Sequence, residues 1–287
     1  MRRLGLLLLA AGVGLAFGPA RAELVLRPTR PAPTDLEVSG PFPGGRTNGF
    51  LTRDQLLALP PTLATNAMDT AVKSRAVYRG IPLLQLRSLL GLDGRADTLF
   101  AVCSDGYAKA FEADYLSAFQ SLLILEINGT GPETWGRSKL TGLEMAPYYI
   151  NAADFAPRPD QNVLGLPEDL HFPYGVVRIE FRTAASTVDR LRLPGTASAS
   201  AKQGAVIAVR DCLACHGHAD FGGTMSGRPW LLLKTWSSNT NFFRRYVVKP
   251  KSIQPASSMP GFTHYEAPVL DALQAYFREL KIGELRR

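Results

Sequence analysis

The stretch DCLACHGH, residues 211–218, holds two of the three cysteines in this 287-residue chain. Cys212 and Cys215 stand three apart, and His216 follows directly. Two thiols at that spacing on neighbouring helical turns point the same way, and the next residue lays an imidazole beside them. That geometry suits thioether bonds from Cys212 and Cys215 to one porphyrin, with His216 as an axial ligand of its iron: the attachment pattern of a c-type haem. A structural zinc ion wants four ligands, and only this pair and a histidine are at hand. A redox dithiol needs no following histidine.

An electron-carrying haem takes its second axial ligand from the opposite face, and a methionine there raises the potential. His218 is two residues from His216 and cannot reach round the ring. Met225 lies in the Gly-rich FGGTMSGRPW and reads as local filler. Met259, 43 residues beyond His216 in the Pro-bounded KPKSIQPASSMPGF, has chain enough to cross the haem edge and return. The expected axial pair is therefore His216 and Met259, with His264 as the alternative.

Working outward, the chain opens MRRLGLLLLAAGVGLAFGPARAELVL. A basic start, a short apolar run and Ala20-Arg21-Ala22 read as a cleaved signal peptide over 1–22, which predicts a periplasmic protein beginning at Glu23. The apolar run is short for a membrane span, which takes roughly 20 residues. Charge is uneven: residues 203–287 carry eleven Lys/Arg against six Asp/Glu, whereas 23–202 carry eighteen against nineteen. The basic part lacks the stripes of a nucleic-acid binder, and its field suits an acidic redox partner protein.

The fold class expected is α+β: a mixed domain over 23–192, a linker over 193–202 within the polar LPGTASASAKQG, and an all-α domain over 203–287. RPTRPAPTD (27–35) reads as an extended arm. TRDQLLALP (52–60) is a short helix with Thr52 as cap, and GIPLLQLRSLLGL (80–92) a second, with Pro82 near its start. TLFAVCSDGYAKAF (98–111) gives two strands about an Asp105-Gly106 turn, with further strands in SLLILEING (121–129), APYYIN (146–151) and YGVVRIEFRT (174–183). In EAPVLDALQAYFRELK (266–281) Val269, Leu270, Leu273, Phe277 and Leu280 form a helical stripe. Cys103 ends an apolar strand, where a free cysteine is most simply a buried thiol.

Two resemblances add to this. Residues 203–287 resemble a small bacterial class I cytochrome c: a helix runs into the haem motif in GAVIAVRDCLACH, Pro229 stands about a dozen residues past His216, and Met259-Pro260-Gly261 precedes a final helix. The resemblance implies that the Pro229 carbonyl accepts the imidazole N–H of His216. Residues 36–184 resemble the molybdopterin-binding domain of the sulfite oxidase family, through LTRDQLLALP, YRGIPLLQLRSLLGL, CSDGYAKAFEADYL, LLILEINGTGP and PYYINAADF. There a cysteine just past a strand binds molybdenum, which would make Cys103 the ligand with Asp105 and Tyr107 above the metal. The family's Cys-x-Gly-Asn is Cys-Ser-Asp-Gly-Tyr here, and His171 is the one histidine of this part. The expectation is a periplasmic monohaem electron carrier whose first domain docks or senses. The alternative is a single-chain molybdenum oxidoreductase of the sulfite dehydrogenase type, passing electrons from molybdopterin to the haem.

Overall fold

A computed structural model describes residues 24–152, 162–166 and 172–281. The expected signal peptide with Glu23, and His171, lie outside the described residues. No helix among the described residues is long and apolar enough to cross a membrane.

Strands crowd into the first two thirds of the chain. β1 (Leu36–Ser39), β2 (Asn48–Leu51), β3 (Thr62–Asp69), β4 (Ser74–Pro82), β5 (Thr98–Cys103), β6 (Ala108–Glu112), β7 (Leu122–Ile127), β8 (Tyr149–Asn151) and β9 (Val176–Arg182) form two sheets. One runs β2-β1-β9-β5-β6, the other β3-β4-β7-β8. Only the β1–β9 pair in the first sheet is parallel; its other pairs are antiparallel. Short helices α1 (Arg53–Leu57), α2 (Leu83–Leu89) and α3 (Ala113–Phe119) connect the strands. Thr52 caps α1 through a reciprocal bond with Gln55, and Pro82 ends β4 where α2 begins.

The last third is helical: α4 (Ala199–Asp211), α5 (Trp230–Ser237), α6 (Thr240–Val248) and α7 (Ala267–Glu279). Mixed sheets followed by helices agree with the expected α+β class at that level. The stripe on α7 is buried as its periodicity predicts. α4 crosses α7 at Gly204, where a Cβ would stand 1.9 Å from the Ala272 carbonyl oxygen. Only a residue without a Cβ admits so close a crossing.

β5 explains how the halves join. Its alternate side chains face opposite ways. Leu99, Ala101 and Cys103 enter a first core with Leu123, Tyr148, Ile179 and Phe181. Phe100 and Val102 face a second core with Ile207, Leu213, Phe221, Trp230 and Tyr276 of the helical half. Val188 and Leu191, in the second of two 3-10 turns that follow β9, join this second core, and the Tyr276 hydroxyl donates to the Leu191 carbonyl at 2.8 Å. The stretch expected to be a linker is accordingly tied down. Residues 199–202 are the first turn of α4, and Ser198 caps that helix while bonding Glu279 through its N–H (3.0 Å) and hydroxyl (2.6 Å). Its polar composition reflects a surface run between two anchored ends.

Candidate functional site

α4 delivers the cysteine motif. Cys212 is its C-terminal cap, with its N–H on Ala208 O at 2.8 Å, and the chain makes one more turn, His216 N–H to Cys212 O at 2.8 Å. The following loop folds back through Gly223 N–H to Leu213 O at 2.8 Å. A Cβ on Gly223 would meet Ala214 O at 1.8 Å, so the return path needs glycine.

His216 is buried. Its Nδ1 lies 2.9 Å from the Arg228 carbonyl oxygen and 3.0 Å from Ser226 Oγ. A carbonyl only accepts, so Nδ1 carries the hydrogen and Nε2 keeps its lone pair. Burial, joined by the Arg228 charge, pushes the imidazole below its ordinary pKa against the opposing pull of the Arg228 carbonyl. The ring is therefore neutral at neutral pH, as a metal-binding histidine must be. The expected acceptor, Pro229, is displaced by one residue. Pro229 caps α5, and its carbonyl already accepts Leu232 N–H at 2.9 Å.

Cys215, His216, Met225, Trp236, Tyr246 and Met259 line one cleft of about 180 Å³. Met259 is held there by its N–H on Ser257 Oγ (3.2 Å). Ser257 Oγ lies 3.3 Å from the Tyr246 hydroxyl, which in turn donates to Gln254 Oε1 at 2.9 Å. Met225 adjoins Ser226, on the Nδ1 side of His216, and its sulfur sits 3.8 Å from Cys215 Sγ. Met259 alone of the two comes from a segment independent of that side. The Arg228 guanidinium lies 5.2 Å from the Trp236 ring centre. Cys212 packs at the edge of the second core and does not line this cleft. Burial first, then Asp105, pushes the Cys215 thiol up to about 11. Burial and then Asp211 push Cys212 higher still. His264 is exposed, edge-on to Tyr265 and outside the cleft, while His218 is buried edge-on against Phe221.

Cys103 sits on the opposite face of β5 from Phe100 and Val102, within the first core and 4% exposed. Burial first, then Asp105, raises its thiol far above the ordinary range. This is the buried thiol that its place at the end of an apolar strand suggests. Among the described residues no three His, Cys, Asp or Glu side chains cluster as a metal site. Asp105 is exposed and accepts Tyr107 N–H at 2.9 Å, an Asx turn that closes β5 onto β6.

Sequence reasoning missed the Arg228 carbonyl, since any residue type supplies one. It also missed a buried carboxylate in the second sheet. Asp69 accepts N–H bonds from Ala71 (2.7 Å) and Val72 (2.8 Å), the Tyr149 hydroxyl (2.9 Å), Asn151 Nδ2 (2.8 Å) and the Tyr78 hydroxyl. Five donors saturate it, and it reads as structural. Its sequence signal, an Asp at a hairpin bend, is common to most turns.

The chain is thus a mixed α/β protein with two sheets and seven α-helices among its described residues. No protein-family model matches it, and no curated protein does. Among solved structures nine chains match. One is the sulfane dehydrogenase SoxCD from Paracoccus pantotrophus, at 16% identity and a TM-score of 0.34, over 52% of this chain and 38% of that one. This chain spans well under half of that chain's length, and a likeness of that degree carries no argument about its chemistry.

Proposed function

We propose that the chain is an exported one-electron carrier with a single covalent haem, which Cys212 and Cys215 would attach through thioethers and His216 and Met259 would ligate. The carrying observation is that Cys215 and His216 share a cleft with Met259, 43 residues further on, while His216 Nδ1 is committed to the Arg228 carbonyl. One imidazole with a free Nε2 and one thioether are the donors such an iron takes, and a bound haem supplies Fe(III)/Fe(II) cycling. The chain's own residues do the rest. Arg228 O and Ser226 Oγ fix the ring orientation of His216. The Tyr246–Ser257 contact holds the Met259 loop, and Trp236 and Tyr246 line the cleft with aromatic surface. The β-rich part serves as a docking or sensing module, and the basic last third, eleven Lys/Arg against six Asp/Glu over 203–287, steers an acidic redox partner in the periplasm.

The test is the full chain expressed with c-type haem maturation. The expected result is haem staining on a denaturing gel, lost in Cys212→Ala/Cys215→Ala, with about one iron per chain and no stoichiometric molybdenum. Molybdenum tracking iron one to one, with sulfite reducing the haem, would overturn the docking role in favour of a molybdenum oxidoreductase. Absence of covalent haem would overturn the carrier itself.

A further inference from the structure

The β5–β6 turn belongs to the β-rich half yet lies against the loop that carries Cys215. Gly106 O accepts Thr224 N–H at 2.8 Å, and Ala108 N–H donates to Ala214 O at 2.9 Å. These bonds grip the loop on both sides of Cys215. Met225, beside Thr224, brings its sulfur to 3.8 Å from Cys215 Sγ. Gly106 has φ +88°, and a Cβ there would stand 2.9 Å from Thr224 Oγ1 and 3.1 Å from Met225 N, so the backbones approach as closely as glycine allows. The preceding residue is Asp105, whose carboxylate is fixed to the turn by Tyr107 N–H at 2.9 Å. One half of the chain thereby places an exposed carboxylate on the turn that packs against the other half's motif loop.

We propose that Asp105 tunes the redox centre electrostatically, its carboxylate favouring the oxidised, more positive state and so lowering the reduction potential of the group held at Cys215 and His216. This rests on the haem reading above. The step affected is uptake of one electron by ferric iron from a donor protein, with no bond made or broken. Because Asp105 is exposed, salt screens its effect: the Debye length falls from about 30 Å at 0.01 M to about 3 Å at 1 M.

The experiment is redox potentiometry on the haem-loaded full chain and its Asp105→Asn variant, at about 0.01 M and about 1 M salt. Asn keeps the acceptor oxygen for Tyr107 N–H and removes only the charge. Glu133→Gln, an exposed acid in the 3-10 turn after β7, is the control. The expected result is a higher midpoint potential for Asp105→Asn at low salt, a smaller difference at high salt, an unchanged visible spectrum, and no shift for Glu133→Gln. Equal potentials at low salt would overturn the proposal, as would a salt-independent shift with altered axial ligation. A wild-type chain without covalent haem overturns the carrier reading and this inference with it, and the haem stain separates that failure from the others.

Discussion

At the scale of single residues the cleft is asymmetric. His216 is fixed from behind by Arg228 and Ser226, while Met259 depends on a loop tied through Ser257 and Tyr246. On the proposed haem reading, Met259→Ala should leave the haem attached, open its iron to added imidazole or cyanide, and lower the potential, because a thioether favours Fe(II). Met225→Ala and His264→Ala should leave ligand access unchanged, which absorbance titration of the three variants checks. The motif residues stand out in the sequence by type and spacing; the structure brings Cys215, His216 and Met259 to one cleft and packs Cys212 against the second core. The acceptor for His216 was off by one because carbonyl direction follows backbone torsions, and Pro229 spends its carbonyl on α5.

Among elements, the α4–α7 crossing and the Asp69 cluster are the tightest points. Gly204→Val would drive a side chain into the backbone of α7. Overpacking of this kind costs about 1–3 kcal/mol, and the expected outcome is a Tm lowered by several degrees in thermal melts. Asp69→Ala would strip the Tyr78 and Tyr149 hydroxyls of their shared acceptor, while Asn151 Nδ2 still donates to both hydroxyls. Each buried polar group so stripped costs about 1–3 kcal/mol. Urea unfolding should show the loss as a lowered midpoint. α1, α2, α7 and β5 to β9 were readable because caps, prolines and apolar periods mark them. The β3–β4 hairpin was not: β3 is the edge of its sheet and exposes Leu63 and Met68, so its sequence lacks the inward apolar alternation that announces a strand.

Across the whole molecule, the second core makes the two halves interdependent. Phe100, Val188 and Leu191 are buried against Leu213, Phe221, Trp230 and Tyr276, and Arg182 donates to the Asp220 carbonyl at 2.8 Å. The expected outcome in denaturant is one transition, coincident by far-UV circular dichroism, which weights both halves, and by the absorbance of the proposed haem, which would report the helical half alone. Two separated transitions would mean that the shared core adds no cooperativity. None of this was legible from LPGTASASAKQG, whose composition is that of a spacer; the contacts that cancel its freedom come from residues far away in sequence.

The double-sided burial of β5 also bears on anyone wishing to move the helical half onto another carrier. Cutting near residue 195 would leave Phe100 and Val102 uncovered on one piece, and Phe221 and Trp230 newly wetted on the other. Each fragment would then display a contiguous oily patch of the kind that drives precipitation. A usable transplant would have to redesign both faces with polar side chains or carry β5, β9 and the 188–191 turn along. The natural unit of exchange in this protein is the pair, and neither half is a cassette.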